Sequence, residues 1–338
     1  MESGWNLKGA FSSIFRLRRR LPLRPLALPM PPSPPAPYSP KSLSATPALR
    51  RALSRRRVLI TGAALDGVGR IIAHIHSLHG AEVILADVLP LEAVADECRA
   101  LGASRVVCAI FDAAKEGDSA RMVGESVAQL TGGVLDAVYL NHNAGCFAPM
   151  FEQPDLIGTA RRLMRINFFS YAEIADAALP LLTEAARGAP RGAPRSNIVV
   201  ISSLAAEMPM LDTHAYAASK AAISAWFNCM RIELRREERS RLVAVSIVYF
   251  SAVRTATLVK AMGGEGGPNA HVLAIAAAPL DAARAAIGAA TSERAVTHFP
   301  ASIGILPRLY ALWPWLARRL VSAVVVKHPA AATEGRAN

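Results

Sequence analysis

Short apolar runs alternate with longer stretches of helical periodicity between residues 57 and 290. Runs such as 58–60 and 242–249 show little polar alternation, and strands that are apolar on both faces belong to a parallel sheet covered by helices. The predicted strands cover 58–60, 82–86, 105–111, 137–140, 197–203 and 242–249, and the predicted helices cover 68–79, 91–101, 120–130, 155–184, 213–236 and 279–290. The alternation predicts an α/β fold, with a doubly wound parallel sheet in a single domain of residues 57–295.

The first 56 residues differ from this domain. Prolines crowd residues 21–40, where they remove backbone donors and block helices, so we expect a disordered leader. An N-terminus with arginine and serine but few acidic residues is typical of an organellar transit peptide, which would direct the protein to a plastid or mitochondrion. The alternative is a disordered basic arm that touches anionic membrane surfaces.

The C-terminal segment 296–338 is predicted to be an apolar helical extension followed by a tail. Prolines and arginines interrupt its apolar stretch 303–326, so no run is long enough for a spanning helix. Leucines and tryptophans beside arginines suit a helix that lies in a membrane interface. We therefore expect peripheral membrane contact, for example at the endoplasmic reticulum. A helix packed on the domain or on a dimer partner is the alternative.

Charge and cysteine content exclude several classes of function. The formal net charge is +12, but residues 1–57 hold 12 Lys and Arg against one acidic residue, and the remainder holds 26 against 25. The folded domain therefore lacks the charge for a nucleic-acid surface. The four cysteines are widely spaced and form no His/Cys cluster, so we expect reduced, buried thiols and no metal site.

A glycine-bearing turn joins the first predicted strand to the first predicted helix. Gly62, Gly67 and Gly69 let the backbone turn sharply and approach a pyrophosphate, which the free N–H groups of the helix N-terminus can bind. Asp87 ends the second predicted strand, where its carboxylate can accept both ribose hydroxyls and repel a 2′-phosphate, so we expect NAD rather than NADP. Helix capping is the alternative for Asp87. Asp112 is a candidate partner for the adenine amino group, and a turn aspartate is its alternative.

Four polar residues form a candidate catalytic set. Tyr216 and Lys220 are four residues apart on a predicted helix and project from one face. A nearby ammonium should lower the pKa of the phenol, which could then exchange a proton with an alcohol oxygen while a nicotinamide exchanges the hydride. Ser203 ends a strand and can hold the substrate oxygen. Asn167 lies among apolar residues inside a long helix and is a candidate relay between Lys220, water and solvent, with a surface or capping Asn as the alternative.

With these residues in place, the chain resembles the short-chain dehydrogenase/reductase family over about residues 57–290. The resemblance rests on the order and spacing of Thr61-Gly62…Gly67-Val68-Gly69, Asp87, Asn143-Ala144-Gly145, Asn167, Ser203 and Tyr216-Ala217-Ala218-Ser219-Lys220. It implies a Rossmann-type domain, a Ser-Tyr-Lys-Asn tetrad, and homodimers formed through the two long helices. It also implies further cofactor contacts at Val68, Asn143, Ala144, Gly145, Val253 and Thr255, beside those of the glycines, Asp87, Tyr216 and Lys220.

Within the family, the chain most resembles the 11β-hydroxysteroid dehydrogenase branch, on segments 140–142, 165–171, 178–180 and 198–205. That resemblance implies a lipophilic alcohol or ketone substrate and membrane association. The sequence departs from the family pattern at three places. Four residues separate Gly62 from Gly67 where the family usually has three, His142 stands where an asparagine is usual, and Phe250-Ser251 replaces the usual Pro-Gly.

These features predict an oxidoreductase that transfers a hydride between NAD(H) and a lipophilic secondary alcohol or ketone. A second hypothesis is a non-catalytic NAD(H)-binding or sensing protein, although a pure binder has no need of Tyr216. A third is a soluble reductase of small carbonyls, in which the C-terminal helix merely closes the pocket.

Overall fold

Seven strands form one parallel sheet in the computed structural model, which describes residues 47–237, 241–262, 264, 270–315 and 319. The strands are β1 (Arg57–Thr61), β2 (Glu82–Asp87), β3 (Arg105–Ile110), β4 (Ala137–Leu140), β5 (Ser196–Ser203), β6 (Val243–Phe250) and β7 (Val296–Phe299). Their order is β3-β2-β1-β4-β5-β6-β7, and every neighbouring pair is parallel. The strand order therefore reverses between β1 and β4, where open α/β sheets bind their ligands.

Side chains of the central strands alternate between two cores, one on each face of the sheet. In β1, Val58 and Ile60 pack in one core together with the helix residues Ile72 and Ile287, whereas Leu59 packs in the other. Burial on both faces explains why these strands are unbroken apolar runs in the sequence. The predicted doubly wound α/β fold is confirmed.

Helices connect the strands and cover both faces. They are α1 (Pro47–Leu53), α2 (Val68–Ser77), α3 (Glu92–Ala100), α4 (Asp118–Val127), α5 (Leu156–Met164), α6 (Ser170–Gly188), α7 (His214–Arg236), α8 (Ala256–Ala261), α9 (Ala270–Ala274), α10 (Pro279–Thr291) and α11 (Ile305–Leu312). The helix predicted over 155–184 has three parts, because a π-helical turn, Arg165–Phe169, separates α5 from α6. Asp155 caps α5, since its Oδ1 accepts from the N–H of Gly158 at 2.8 Å.

Two elements lie outside the boundaries that the sequence predicts for the domain. Helix α1 falls within the predicted disordered leader, yet Leu53 is buried in the core. Strand β7 pairs with β6, so the sheet continues past residue 295. Its sequence, Val-Thr-His-Phe, carries two polar residues and forms an edge strand, which explains why no apolar run marks it. The remainder of the predicted leader, 1–46, lies outside the described residues.

No helix among the described residues is long and apolar enough to cross a membrane. The part of the predicted C-terminal extension that is described contains α11, which ends next to the half-exposed side chains of Trp313 and Trp315. All four cysteines are free, but only Cys98 is fully buried. The expectation of buried thiols is therefore wrong for the exposed Cys108 and Cys229.

Candidate active site

Ser203, Tyr216 and Lys220 meet at the carboxyl edge of the sheet. Ser203 is the last residue of β5, and α7 begins 11 residues later and carries the other two one helical turn apart. The hydroxyl of Ser203 lies beside the phenol of Tyr216. The Nζ of Lys220 lies 5.8 Å from the centroid of the Tyr216 ring. The structure thus brings together three of the four residues of the predicted catalytic set.

Lys220 is buried, with only 2% of its surface exposed. Its Nζ donates to the carbonyl of Ile201 at 3.2 Å and lies 5.5 Å from the centroid of the Tyr171 ring. Burial lowers the pKa of Lys220 to about 7, because few polar partners replace the lost water. The amine is therefore poised to gain or lose a proton near neutral pH.

The pKa of Tyr216 is raised, contrary to the sequence-based expectation. Burial of the phenol is the main cause, and the hydrogen bond from Ser203 opposes it in part. Lys220 points at a backbone carbonyl and at the face of the tyrosine ring rather than at the phenol oxygen. In this arrangement Tyr216 holds its proton at neutral pH and is a proton donor.

Asn167 lies in the π-helical turn and is fully buried. Its Oδ1 accepts from the N–H of Ala144 at 2.9 Å, and its Nδ2 donates to the carbonyl of Ala144 at 2.8 Å and to Ser219 Oγ at 2.9 Å. Both amide hydrogens are therefore engaged. The side chain joins the loop after β4 to α7, the helix of Tyr216 and Lys220, and its contacts are those of a clamp rather than of a proton relay.

The glycine turn after β1 brings backbone segments into close contact. Gly62 has a φ of +69°, and a Cβ there would lie 2.8 Å from the Cα of His142. A Cβ on Gly69 would lie 2.3 Å from the carbonyl oxygen of Gly62. Among the described residues, no side chain caps α2, whose N-cap is Gly67, so its first N–H groups are available to a pyrophosphate. The four-residue spacing between Gly62 and Gly67 thus still delivers an open helix N-terminus.

The two predicted adenosine contacts differ in their surroundings. Asp87 ends β2 beside the glycine turn, and its Oδ2 accepts from the N–H of Ala64 at 3.0 Å. Its Oδ1 accepts from the N–H of Val88 at 2.8 Å. Asp112 is exposed, and its Oδ1 accepts from the N–H of Ala114 at 2.8 Å, which is the geometry of a turn aspartate. Asp87 is therefore the better placed of the two for a ribose.

The loops after β4 and β6 hold the remaining predicted cofactor contacts. Asn143 is exposed at this edge, and a Cβ on Gly145 would lie 2.5 Å from the ring of Phe147. Val253 is buried and bridges to Ala277, while the Oγ1 of Thr255 accepts from the N–H of Leu258 at 3.2 Å and caps α8. Thr255 also packs 3.5 Å from the position of a Cβ on Gly67. The β6 loop therefore borders the glycine turn.

His142 is a buried part of the site to which the sequence assigned no role. Its Nδ1 lies 2.8 Å from Thr61 Oγ1, and its Nε2 lies 2.7 Å from Ser170 Oγ and 3.2 Å from the carbonyl of Ile166. Ser170 Oγ also donates to the carbonyl of Ile166, and Thr61 Oγ1 donates to the carbonyl of Tyr139, so each hydroxyl lies between a backbone carbonyl and one imidazole nitrogen. Burial lowers the pKa of His142 to about 3. A neutral imidazole thus links β1 to the π-helical turn of Asn167. The one sequence feature that pointed to this residue is that His142 stands where the family usually has an asparagine.

An apolar ring packs against Tyr216, and two exposed apolar side chains lie on the adjoining loops. The ring of Phe147 packs 5.3 Å from that of Tyr216, centroid to centroid. The N–H of Ala148 donates to the carbonyl of Asp212 at 3.2 Å, which joins the two loops that carry Phe151 and Leu211. Phe151 is 97% exposed and Leu211 57%. We call Phe147, Phe151 and Leu211 the apolar rim.

Comparison with known proteins agrees with this geometry. The family model of short chain dehydrogenases matches residues 56–265, which is more than half of the chain.

The chain belongs to the short-chain dehydrogenase family.

Curated relatives place this short-chain dehydrogenase close to the 11β-hydroxysteroid dehydrogenase-like branch. It is 30% identical over 250 residues to a hydroxysteroid 11-beta-dehydrogenase 1-like protein of Xenopus tropicalis, covering 73% of the chain and 80% of the relative. It is 32% identical over 199 residues to 11-beta-hydroxysteroid dehydrogenase-like 3 of Arabidopsis thaliana, covering 58% of the chain and 60% of the relative. The family resemblance in the sequence is therefore confirmed.

Solved structures share the fold. A short chain dehydrogenase/reductase from Burkholderia phymatum in complex with NAD has a TM-score of 0.66 at 19% identity, covering 78% of this chain and 96% of that one. A protein assigned as an NAD(P)-dependent gluconate 5-dehydrogenase from Beutenbergia cavernae, with bound NADP, has a TM-score of 0.61 at 23% identity, covering 74% and 96%. With its family membership, the short-chain dehydrogenase is an NAD(P)-dependent oxidoreductase.

Proposed function

We propose that this short-chain dehydrogenase transfers a hydride between NAD(H) and a lipophilic secondary alcohol or ketone, with Tyr216 as the proton-transfer residue. The observation that carries the proposal is the meeting of Ser203, Tyr216 and Lys220 beside an open glycine turn. A bound nicotinamide supplies or accepts the hydride. The protein's residues then have to hold the substrate oxygen and move one proton.

Each catalytic residue has a separate task in this proposal. The hydroxyl of Ser203 holds the substrate oxygen next to Tyr216. Tyr216, which keeps its proton at neutral pH, donates it to a carbonyl oxygen during reduction and becomes a phenolate. In the reverse direction the phenolate takes the proton from the hydroxyl of the alcohol. Lys220 stabilises the phenolate left after donation, and Asn167 fixes the helix that carries both residues.

The apolar rim supports a lipophilic substrate. Phe147 packs directly on Tyr216, and the exposed Phe151 and Leu211 add apolar surface on the two loops that Ala148 and Asp212 join. The names of the curated relatives point to steroid-like molecules. A soluble reductase of small polar carbonyls would have no use for such a surface.

Asp87 supports a preference for NAD over NADP. Its carboxylate lies at the end of β2 and accepts from the backbone of the glycine turn, so it faces the region where the ribose would lie. A 2′-phosphate there would meet a negative charge. The preference for NAD therefore follows from charge repulsion.

Tyr216→Phe is the experiment that separates an enzyme from a binding protein. Removing one hydroxyl oxygen deletes the proton donor and leaves the ring in place, so turnover should fall by about 100-fold or more. NADH affinity, measured by fluorescence titration, should stay within about twofold. Substrates are screened among sterols, retinols and fatty alcohols. Tyr310→Phe, which removes the hydroxyl of a tyrosine elsewhere in the chain, is the matched control. If the variant retains wild-type turnover, the catalytic assignment is wrong.

We also propose peripheral membrane contact through α11 and the residues after it. Leu312 is 68% exposed, and Trp313 and Trp315 are about half exposed, which suits aromatic side chains at a membrane interface. The wild-type protein should float together with liposomes, and the variant in which Trp313 and Trp315 are both changed to Ser should not. Equal flotation of the wild type and this variant would contradict the proposal.

A further inference from the structure

A cavity of about 450 Å³ lies at the amino ends of β1 and β4, the sheet edge opposite to Tyr216. One wall comes from α1 and the link to β1, and the other from the loop with the tandem Arg-Gly-Ala-Pro sequence, 187–194. The charged residues that line it are Arg51, Arg55, Arg56, Arg57, Asp136 and Glu184. None of these six residues belongs to the glycine turn or takes part in hydride transfer. A role for this cavity is therefore independent of the proposed function.

The carboxylate of Asp136 is fully occupied by Arg57. Its Oδ2 accepts from the backbone N–H and from Nε of Arg57, both at 2.8 Å, and its Oδ1 accepts from Nη2 at 2.9 Å. Arg57 and Asp136 therefore form a bidentate pair that neutralises itself. The other arginines of the cavity have to find a counter-charge elsewhere.

Arg56 lacks such a counter-charge. Its Nη2 donates to two backbone carbonyls, those of Asp136 at 2.6 Å and Arg195 at 3.0 Å, and its buried Nε has no hydrogen-bond partner among the described residues. Burial lowers the pKa of Arg56, and the nearby acidic groups do not restore it. Arg56 is half-buried, and the carboxylates of Asp136 and Glu293 act on it only at a distance, without a hydrogen bond to its guanidinium. An anion in this cavity that accepts from the guanidinium would therefore stabilise the site.

Two further arginines face the same space from the solvent side. Arg51 and Arg55 are exposed, and no carboxylate of the described residues lies within 4.0 Å of either guanidinium. Glu184 is exposed on the opposite wall and is the one lining carboxylate left to oppose them. Across the cavity, positive charges exceed negative charges by two. That excess matches the charge of a phosphate monoester near neutral pH.

We propose that this cavity binds a phosphate monoester, held by Arg51, Arg55 and Arg56. Guanidinium groups present paired N–H donors that match phosphate oxygens, which a point-like ammonium does not. The volume is in the range of small-molecule sites, so the phosphate can carry an organic group. The ester is either a soluble metabolite or a lipid headgroup, since both present the same anion.

Binding to the full chain tests the proposal. Saturating NADH keeps the glycine turn occupied throughout. Calorimetric titration with inorganic phosphate and with glycerol 3-phosphate then measures the binding of soluble phosphates. Co-sedimentation with phosphatidylcholine vesicles, with and without phosphatidic acid, measures binding to a lipid phosphate headgroup. The variant is Arg51→Gln with Arg55→Gln, both exposed. The matched control is Arg99→Gln with Arg105→Gln, which removes the same charge from exposed positions elsewhere and keeps the basic leader.

The variants should change the affinity for phosphate in opposite directions. Loss of two guanidinium contacts should raise the dissociation constant about tenfold, whereas the control should bind as the wild type does. Glu184→Gln removes the opposing charge and should tighten binding a few-fold. An effect on the soluble esters identifies a metabolite site, and an effect confined to phosphatidic acid identifies a headgroup site. Equal binding by the wild type, the variant and the control, or no binding to any probe, overturns the proposal.

Discussion

At the scale of single residues, the buried amine of Lys220 governs how the stability of the cofactor-free protein changes with pH. Between about pH 7 and its unfolded value of 10.5, Lys220 is neutral in the folded protein but charged in the unfolded chain. The unfolded state then binds more protons, so this group makes stability rise with pH across that window. Lys220→Met should therefore be the more stable protein near pH 7, and its advantage should shrink by up to about 1.4 kcal/mol per pH unit toward pH 9.5.

Urea unfolding of the wild type and Lys220→Met at several pH values measures this difference. Groups that titrate in both proteins, such as Cys98, cancel in the comparison. A constant difference in the free energy of unfolding between pH 7 and 9.5 would show that Lys220 keeps its ordinary pKa and that its burial is relieved in solution.

Asp87 determines the second prediction at this scale. Asp87→Asn keeps an oxygen that can accept from the N–H of Ala64 but removes the negative charge. The ratio of kcat/KM with NADPH to kcat/KM with NADH should rise about tenfold, because a like-charge repulsion is lost. Asp96→Asn, an exposed aspartate of α3, serves as the control. An unchanged ratio in Asp87→Asn would exclude charge repulsion as the basis of selectivity.

Residue types and spacing were enough to locate most of the candidate site. Tyr216, Lys220 and Ser203 follow from a helical spacing and a strand end. The direction of the Tyr216 pKa could not be predicted, since it depends on where Lys220 points after folding. The part played by His142 was also hidden, because Thr61 and Ser170 are distant in the chain and meet it only in the fold.

At the scale of elements, apolar runs predict strands only where both faces are covered. Strands β1, β4 and β6 are buried along nearly their whole length and were found at nearly their observed bounds. The edge strand β7 and the helix α1, with 4 and 7 residues, are too short to produce a clear pattern. The break between α5 and α6 was equally invisible, since a π-helical turn keeps helical composition and changes only the hydrogen-bond spacing.

The junction of β1 and α2 supplies the prediction for elements. In Gly69→Ala, the added Cβ would lie 2.3 Å from the carbonyl oxygen of Gly62 and 2.7 Å from Asn141 Nδ2, so the glycine turn has to shift. We expect the free energy of unfolding to fall by about 1–3 kcal/mol and NADH affinity to be largely lost. Gly124→Ala is the control, because nothing lies within 4 Å of a Cβ there.

That control should behave in the opposite way. Gly124 lies inside α4, where alanine is the better helix former, so its variant should gain up to about 1 kcal/mol. Urea unfolding and fluorescence titration with NADH measure both variants. Wild-type NADH affinity in Gly69→Ala would mean that the close contact between α2 and the turn is not needed for the cofactor.

At the scale of the whole molecule, one apolar surface is left half exposed by the part of the chain that the structure describes. Phe169 and Trp226 are each 49% exposed, and Trp226 packs its ring 5.7 Å from that of Phe168. These residues lie where the π-helical turn and α7 come together, on the long helices through which the family resemblance implies dimers. We propose that this surface is the homodimer contact. Large aromatic side chains at the centre of an interface contribute most of its binding energy.

Trp226→Glu should therefore convert the dimer into a monomer. Burying a charge in place of an indole should weaken association by about 2 kcal/mol or more, which raises the dimer dissociation constant about 30-fold. Sedimentation velocity over a range of concentrations measures the shift. Leu312→Glu changes a more exposed apolar residue, on α11, and is the control. It also tests the alternative that the C-terminal helix makes the contact. Dissociation in Leu312→Glu but not in Trp226→Glu would assign the dimer contact to α11. A monomeric wild type would contradict the proposed homodimer contact.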